Sequence, residues 1–226
     1  MRSRGLVAVA ALLGVLAAGL ITAGLSSGGR TGPPEPPQAA PAGQDTARDG
    51  ARDGAQESGD RGAGRGKRAA PGTVLPESDP VRVSIPSLGV DSALERLGRQ
   101  SDGAMETPQD PGLAGWYTPG PAPGEQGPAV ISGHVTWNGE QAVFYRLGEL
   151  GAGDRIEVAR EDGRTAEFAV DRVARYPKAD FPTLEVYGNL DHAGLRLITC
   201  GGDYDPERHY YSDNVVVFAS LTGASA

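Results

Sequence analysis

The feature that most limits the folds open to this chain is a succession of short β-patterned segments cut apart by glycine and proline. Seven segments read as strands: Val81–Ile85, Val90–Leu94, Val130–His134, Arg155–Ala159, Thr165–Tyr176, Leu195–Cys200 and Val215–Ala219. They are rich in β-branched residues, and the clearest of them alternate with period two. Pro119-Gly120-Pro121-Ala122-Pro123-Gly124 interrupts the series, and Asp162-Gly163 reads as a hairpin turn between two of its strands. Helical patterning is confined to Ala142–Leu147, before Gly148, and Thr183–Tyr187, after Pro182. Many short strands with so little helix predict an all-β domain with short helices, a closed or nearly closed antiparallel barrel.

Two stretches precede that domain. Arg2 and Arg4 stand ahead of an uncharged run whose apolar part is Leu6–Leu25, long enough to cross a bilayer as a helix. Arginines on that side predict a cytoplasmic N-terminus and an exported remainder. Ala17, Ala18, Gly19 and Ala23 would also suit cleavage of a signal peptide, but the run exceeds the usual signal-peptide core and favours an uncleaved signal-anchor over residues 1–25. Residues 26–77 carry Pro33-Pro34-Glu35-Pro36-Pro37 and the repeat Ala47-Arg48-Asp49-Gly50, Ala51-Arg52-Asp53-Gly54. With no aromatic residue and few aliphatic ones, this stretch cannot bury enough apolar surface to offset the entropy of ordering. It predicts a disordered, charge-balanced tether that holds a folded domain, residues 78–226, away from the membrane.

Roughly 150 residues suit one domain with one core. The whole chain has a formal net charge of −8; with two arginines at the N-terminal end and a balanced tether, the domain carries −10. An acidic domain argues against a nucleic-acid partner and is compatible with a cationic one, such as an amine.

Cys200 is the only cysteine. It ends the run Leu195-Arg196-Leu197-Ile198-Thr199-Cys200, and Gly201-Gly202 then release the backbone from strand geometry. In an exported chain an unpaired cysteine is a reactive thiol or an intermolecular disulfide partner; taken alone, it reads more readily as a buried core residue, and the rest of the chain reverses that. Val130-Ile131-Ser132-Gly133-His134 supplies a second strand end, with Val130, Ser132 and His134 on one face and Trp137 placed to wall a cleft. His192 and His209 lie in polar turns. A thiol and an imidazole at two strand ends are the ingredients of acyl transfer: a thiolate nucleophile and an acid for the leaving amine. One cysteine and three scattered histidines lack metal-ligand spacing, so a metal is not expected.

These residues together resemble the sortases, and most closely the actinobacterial class F sortases. The resemblance runs from about Val81 to Leu221. It includes Val81-Arg82-Val83-Ser84-Ile85-Pro86, Gly89-Val90-Asp91, Ala114-Gly115-Trp116-Tyr117 and Gly127-Pro128-Ala129-Val130-Ile131-Ser132-Gly133-His134-Val135. It continues through Ala142-Val143-Phe144-Tyr145-Arg146-Leu147, Arg175-Tyr176-Pro177-Lys178, Thr199-Cys200-Gly201-Gly202 and Asp213-Asn214-Val215-Val216-Val217. The resemblance implies a sortase-like eight-stranded β-barrel and a membrane-anchored, extracellular cysteine transpeptidase. Cys200 would attack a backbone carbonyl in a sorting signal, of the Leu-Pro-x-Thr-Gly kind in related enzymes, with His134 as acid. An amine, in many sortases that of a cell-wall precursor, would resolve the thioacyl-enzyme, and no cofactor would be needed.

One departure stands out. Sortases generally add an arginine at the start of the strand after the cysteine, whereas here Ser212 to Asn214 occupy that place. Arg208 and Asn214 are therefore both candidates for the oxyanion or substrate donor, and the charged one is the stronger donor. The cysteine transpeptidases that join peptidoglycan stems usually show a Ser-His-Gly-Cys-like run, absent here. A tethered peptide-binding module with weak or no activity is the non-enzymatic alternative.

Overall fold

The structure, a computed structural model, describes residues 32–36 and 74–226. The expected anchor and most of the expected tether lie outside the described residues. Among the described residues, no helix is long and apolar enough to cross a membrane.

The described residues form ten strands: β1 Pro80–Ile85, β2 Val90–Leu97, β3 Ala114–Tyr117, β4 Gly127–Gly133, β5 Thr136–Trp137, β6 Glu140–Gln141, β7 Arg155–Arg160, β8 Thr165–Pro177, β9 Ala193–Asp205 and β10 Tyr210–Ser225. Eight of them close a barrel in the order β1-β2-β3-β4-β9-β10-β8-β7, while β5 and β6 make a separate small hairpin. The eight-stranded barrel agrees with the expectation; its strand directions do not fully. β2 pairs β3 and β4 pairs β9 in parallel, so the barrel is mixed. Parallel neighbours need long crossovers, and residues 98–113 and the whole of β5 to β8 supply them.

Period-two alternation sorts side chains between two apolar clusters. Ile131, Leu195, Leu197, Val215 and Val217 point into the barrel with Val83, Ile85, Val158 and Phe168, and Phe144 and Leu147 pack into the same cluster. The intervening Val130, Ile198, Val216 and Phe218 point outward and are covered by Val186 of the short helix α1, Thr183–Tyr187. β4 and most of β9 are thus buried on both faces, which is why both read as nearly unbroken apolar runs.

Three local expectations are corrected. Ala142–Leu147 is not a helix; it is a turn leading into a 3₁₀ turn, Leu147–Glu149. Backbone bonds from Ala142 to Val135 and from Phe144 to His134 hold it in register with the β4 end, and it is too short to propagate alone. The strand of Cys200 does not break at Gly201-Gly202 but runs on to Asp205, with a bulge against β10 between Tyr211 and Asp213. Gly202 takes a φ of 75°, and a Cβ there would come within 2.6 Å of the Asp213 carboxylate. Finally, the folded unit begins before Ser78. Leu75 packs in the inner core, its N–H donates to Gly124 O at 2.8 Å, and the buried Arg160 donates to the carbonyls of Pro76 and Pro123.

Part of the expected tether also lies on the barrel. In Gly32–Pro36, Glu35 pairs with Arg175 at 2.6 Å and Gly32 O accepts from the Tyr145 hydroxyl at 3.3 Å. The Pro34 carbonyl occupies the space a side chain at Gly148 would need.

Candidate active site

Cys200 follows Ile198 by two positions, so its side chain stands on the outer face of the barrel, half-buried and free of any disulfide. In the parallel β4–β9 ladder, Ser132 lies opposite Ile198. The next pair is tied by a side chain: the Thr199 hydroxyl donates to Gly133 O at 2.8 Å. His134 directly follows β4, and Cys200 lies two positions past Ile198, the last β9 residue of the ladder. Gly133 permits the close approach behind the histidine, since a Cβ there would meet Val143 and Phe144 at 2.7 Å.

His134 is held on two sides. Its Nε2 is 2.8 Å from Pro108 O, which only accepts, so Nε2 carries hydrogen. Its ring meets Trp137 edge-on with centroids 5.0 Å apart. The expected cleft wall at Trp137 therefore packs directly on the imidazole. With Nε2–H committed to a carbonyl, Nδ1 remains the atom that can take up and release a proton.

The other sequence candidates separate. Asn214 is the cross-strand partner of Cys200 in β10. Arg208 sits at the tip of the β9–β10 hairpin: its backbone N–H donates to Asp205 at 3.2 Å and its guanidinium lies 5.3 Å from the Tyr210 ring centroid. His192 pairs with Asp191 at 2.8 Å on the surface, and His209 meets the Tyr204 hydroxyl at 3.1 Å. A residue without a role in the sequence reading reaches the thiol instead. Lys178, just past β8, places Nζ 3.4 Å from the Cys200 sulfur. No sequence pattern announces this contact, because the side chain reaches across β10 from a strand that is not adjacent to β9.

A groove of about 710 Å³ has Val130 of β4 in its lining, together with Met105, Tyr117, Tyr187 and Leu190; neither Cys200 nor His134 lines it. Burial raises the pKa of the Tyr187 phenol above its ordinary value and, foremost among several causes, that of Tyr176. Arg196, the β9 partner of Val130, stacks on Phe218, its Cζ 4.6 Å from the ring centroid; burial first, then the neighbouring Arg172, lowers its pKa. Among the described residues no group of three or more His, Cys, Asp or Glu is arranged to hold a metal.

The sortase domain family matches residues 83–222, well over half of the chain. The chain belongs to the sortase family. It is a sortase-type cysteine transpeptidase. Its barrel is similar to solved sortases at low identity. The pilus-related sortase C of Group B Streptococcus is 16% identical with a TM-score of 0.49, over 66% of this chain and 69% of that one. A Clostridium perfringens sortase D5 transpeptidase is 23% identical with a TM-score of 0.47, over 65% and 79%. Sortase A from Corynebacterium diphtheriae is 20% identical with a TM-score of 0.49, over 64% and 61%. No curated protein matches the chain. Within this sortase, Cys200 lies within β9, five residues before its end, and His134 directly follows the neighbouring parallel strand β4.

Proposed function

We propose that this sortase is a class F, membrane-anchored enzyme that cleaves a C-terminal sorting signal through a Cys200 thioacyl intermediate and passes the acyl group to an amine. The observation that carries the reading is the parallel β4–β9 ladder: Val130 on it lines the groove, Cys200 lies two positions past its last pair, and His134 directly follows β4. Val130 pairs with Arg196, four residues before Cys200, which is about 13 Å along the strand. An extended peptide covers that distance with about four residues, so the residues ahead of the scissile bond fill the groove as the carbonyl reaches the sulfur. The thiolate attacks that carbonyl, the C–N bond breaks, and His134 gives the departing nitrogen its proton. Deacylation by an amine reverses the order, with His134 as base. The acidic domain suits a cationic acceptor such as a cell-wall precursor amine, and the apolar Leu6–Leu25 run supports attachment to the membrane with the domain outside.

The test is to incubate the full chain with a pool of Leu-Pro-x-Thr-Gly-like peptides varied at each position. Mass spectrometry should find an acyl adduct on Cys200 that hydroxylamine or an added amine removes. A protein that binds peptides and never forms the adduct would be a binding module instead.

A further inference from the structure

The oxyanion donor is the role that the sequence left between Arg208 and Asn214, and neither has a described contact with the sulfur. Lys178 does, with Nζ 3.4 Å from Sγ. Its position is built by three strands. Tyr176, Asn214 and Cys200 form one row across β8, β10 and β9, and Pro177 pairs with Asp213 before the chain turns at Lys178–Asp180. The ammonium rests 4.3 Å from the centroid of the Tyr210 ring, a cation–π contact that restricts the long side chain. Among the described residues no carboxylate pairs with it. The charge is therefore available at the sulfur.

Resting on the transpeptidase reading above, we propose that Lys178 is a further catalytic residue, the charged donor to the oxyanion formed during acylation of Cys200. When the sulfur adds to the peptide carbonyl, a C–S bond forms and the carbonyl π pair moves onto oxygen. That oxygen is one carbon removed from the sulfur that Nζ already touches. An ammonium has three donors, so one can stay on sulfur while another turns to the oxyanion. Lys178 keeps its protons throughout; as the tetrahedral carbon collapses, the C–N bond breaks and His134 protonates the leaving nitrogen. A charged donor beside the reacting atoms stabilises the transition state more than the ground-state carbonyl, which is the condition for accelerating the step.

The experiment compares full-length wild type, Lys178→Met, Lys178→Arg and Tyr210→Leu in two reactions of Cys200. One is thioester formation with a Leu-Pro-x-Thr-Gly-like peptide that acylates wild type. The other is alkylation by iodoacetamide, which displaces iodide and builds no oxyanion. Lys178→Met should lower acylation on the order of 10²–10³-fold while alkylation changes by less than about tenfold. Lys178→Arg should recover most of the loss, and Tyr210→Leu should cost several-fold by loosening the ammonium. Melting curves establish that each variant is folded. Acylation by Lys178→Met within a few-fold of wild type overturns the proposal, and so does an equal loss in both reactions, which would confine the lysine to the sulfur. If wild type alkylates but forms no thioester with any peptide, the transpeptidase reading fails, and the proposal with it.

Discussion

Cys200 and His134 show how far single residues speak for themselves. The sole cysteine at a strand end and a histidine after a glycine carried the chemistry in the sequence, because an acyl-transfer site needs those two groups and the chain offers one thiol. Cys200→Ala should abolish the acyl adduct and shift stability by no more than about 1–2 kcal/mol, since it removes one half-buried sulfur. Any adduct on the alanine variant would show that another nucleophile operates. Arg208 was legible only as a nearby charge. Its guanidinium lies against Tyr210 at the hairpin tip, so Arg208→Ala should leave the acylation rate within a few-fold of wild type. A hundredfold loss would restore it as the donor. Lys178 was illegible for a physical reason: side-chain reach across a strand depends on the barrel's order, and that order is set by pairings remote in sequence.

At the scale of elements, what matters is the parallel ladder of β4 and β9. The alternating runs identified both strands, but nothing local to either fixes that they lie side by side and point the same way. The Thr199 hydroxyl on Gly133 O ties the two strands one step past the Ser132–Ile198 pair, directly before His134 and Cys200, the two residues proposed to react. Thr199 is buried, so Thr199→Val keeps the shape, removes the donor and leaves the carbonyl without that partner. The expected cost is about 1–2 kcal/mol in denaturant unfolding. Because the same bond aligns Cys200 with His134, the acylation rate should fall about tenfold while iodoacetamide labelling holds. A variant that loses stability but keeps its rate would mean that strand packing alone sets the alignment. The false helix at Ala142–Leu147 belongs to this scale too. Its apolar spacing was real, but Phe144 and Leu147 serve the inner core from a turn.

For the whole molecule, the boundary between tether and domain is the instructive departure. Composition placed it at Ser78, because Val74 and Leu75 are isolated aliphatics at the end of a polar stretch. Burial depends on what waits in three dimensions, and the loop at Pro123-Gly124 together with Arg160 forms a seat for exactly this segment. Leu75 is 9% exposed, and the fully buried Arg160 guanidinium has the Pro76 carbonyl among its acceptors. A chain starting at Ser78 loses the apolar contact and leaves a buried cation short of an acceptor. Those two losses together are expected to cost about 3 kcal/mol. For a domain of this size that is a fall in Tm of roughly 6–12 °C. A chain starting at Val74 retains both contacts and, of the described residues, lacks only the Gly32–Pro36 segment, whose Glu35–Arg175 pair is partly exposed and contributes about 1 kcal/mol or less. The Val74 chain should therefore melt close to the full-length protein and acylate at the same rate, with the Ser78 chain well below it in Tm. Equal melting of the two truncated chains would mean that the Leu75 seat is filled by other residues. A rate deficit in the Val74 chain, with Tm unchanged, would instead assign the Gly32–Pro36 segment a part in shaping the barrel mouth at Tyr145 and Arg175.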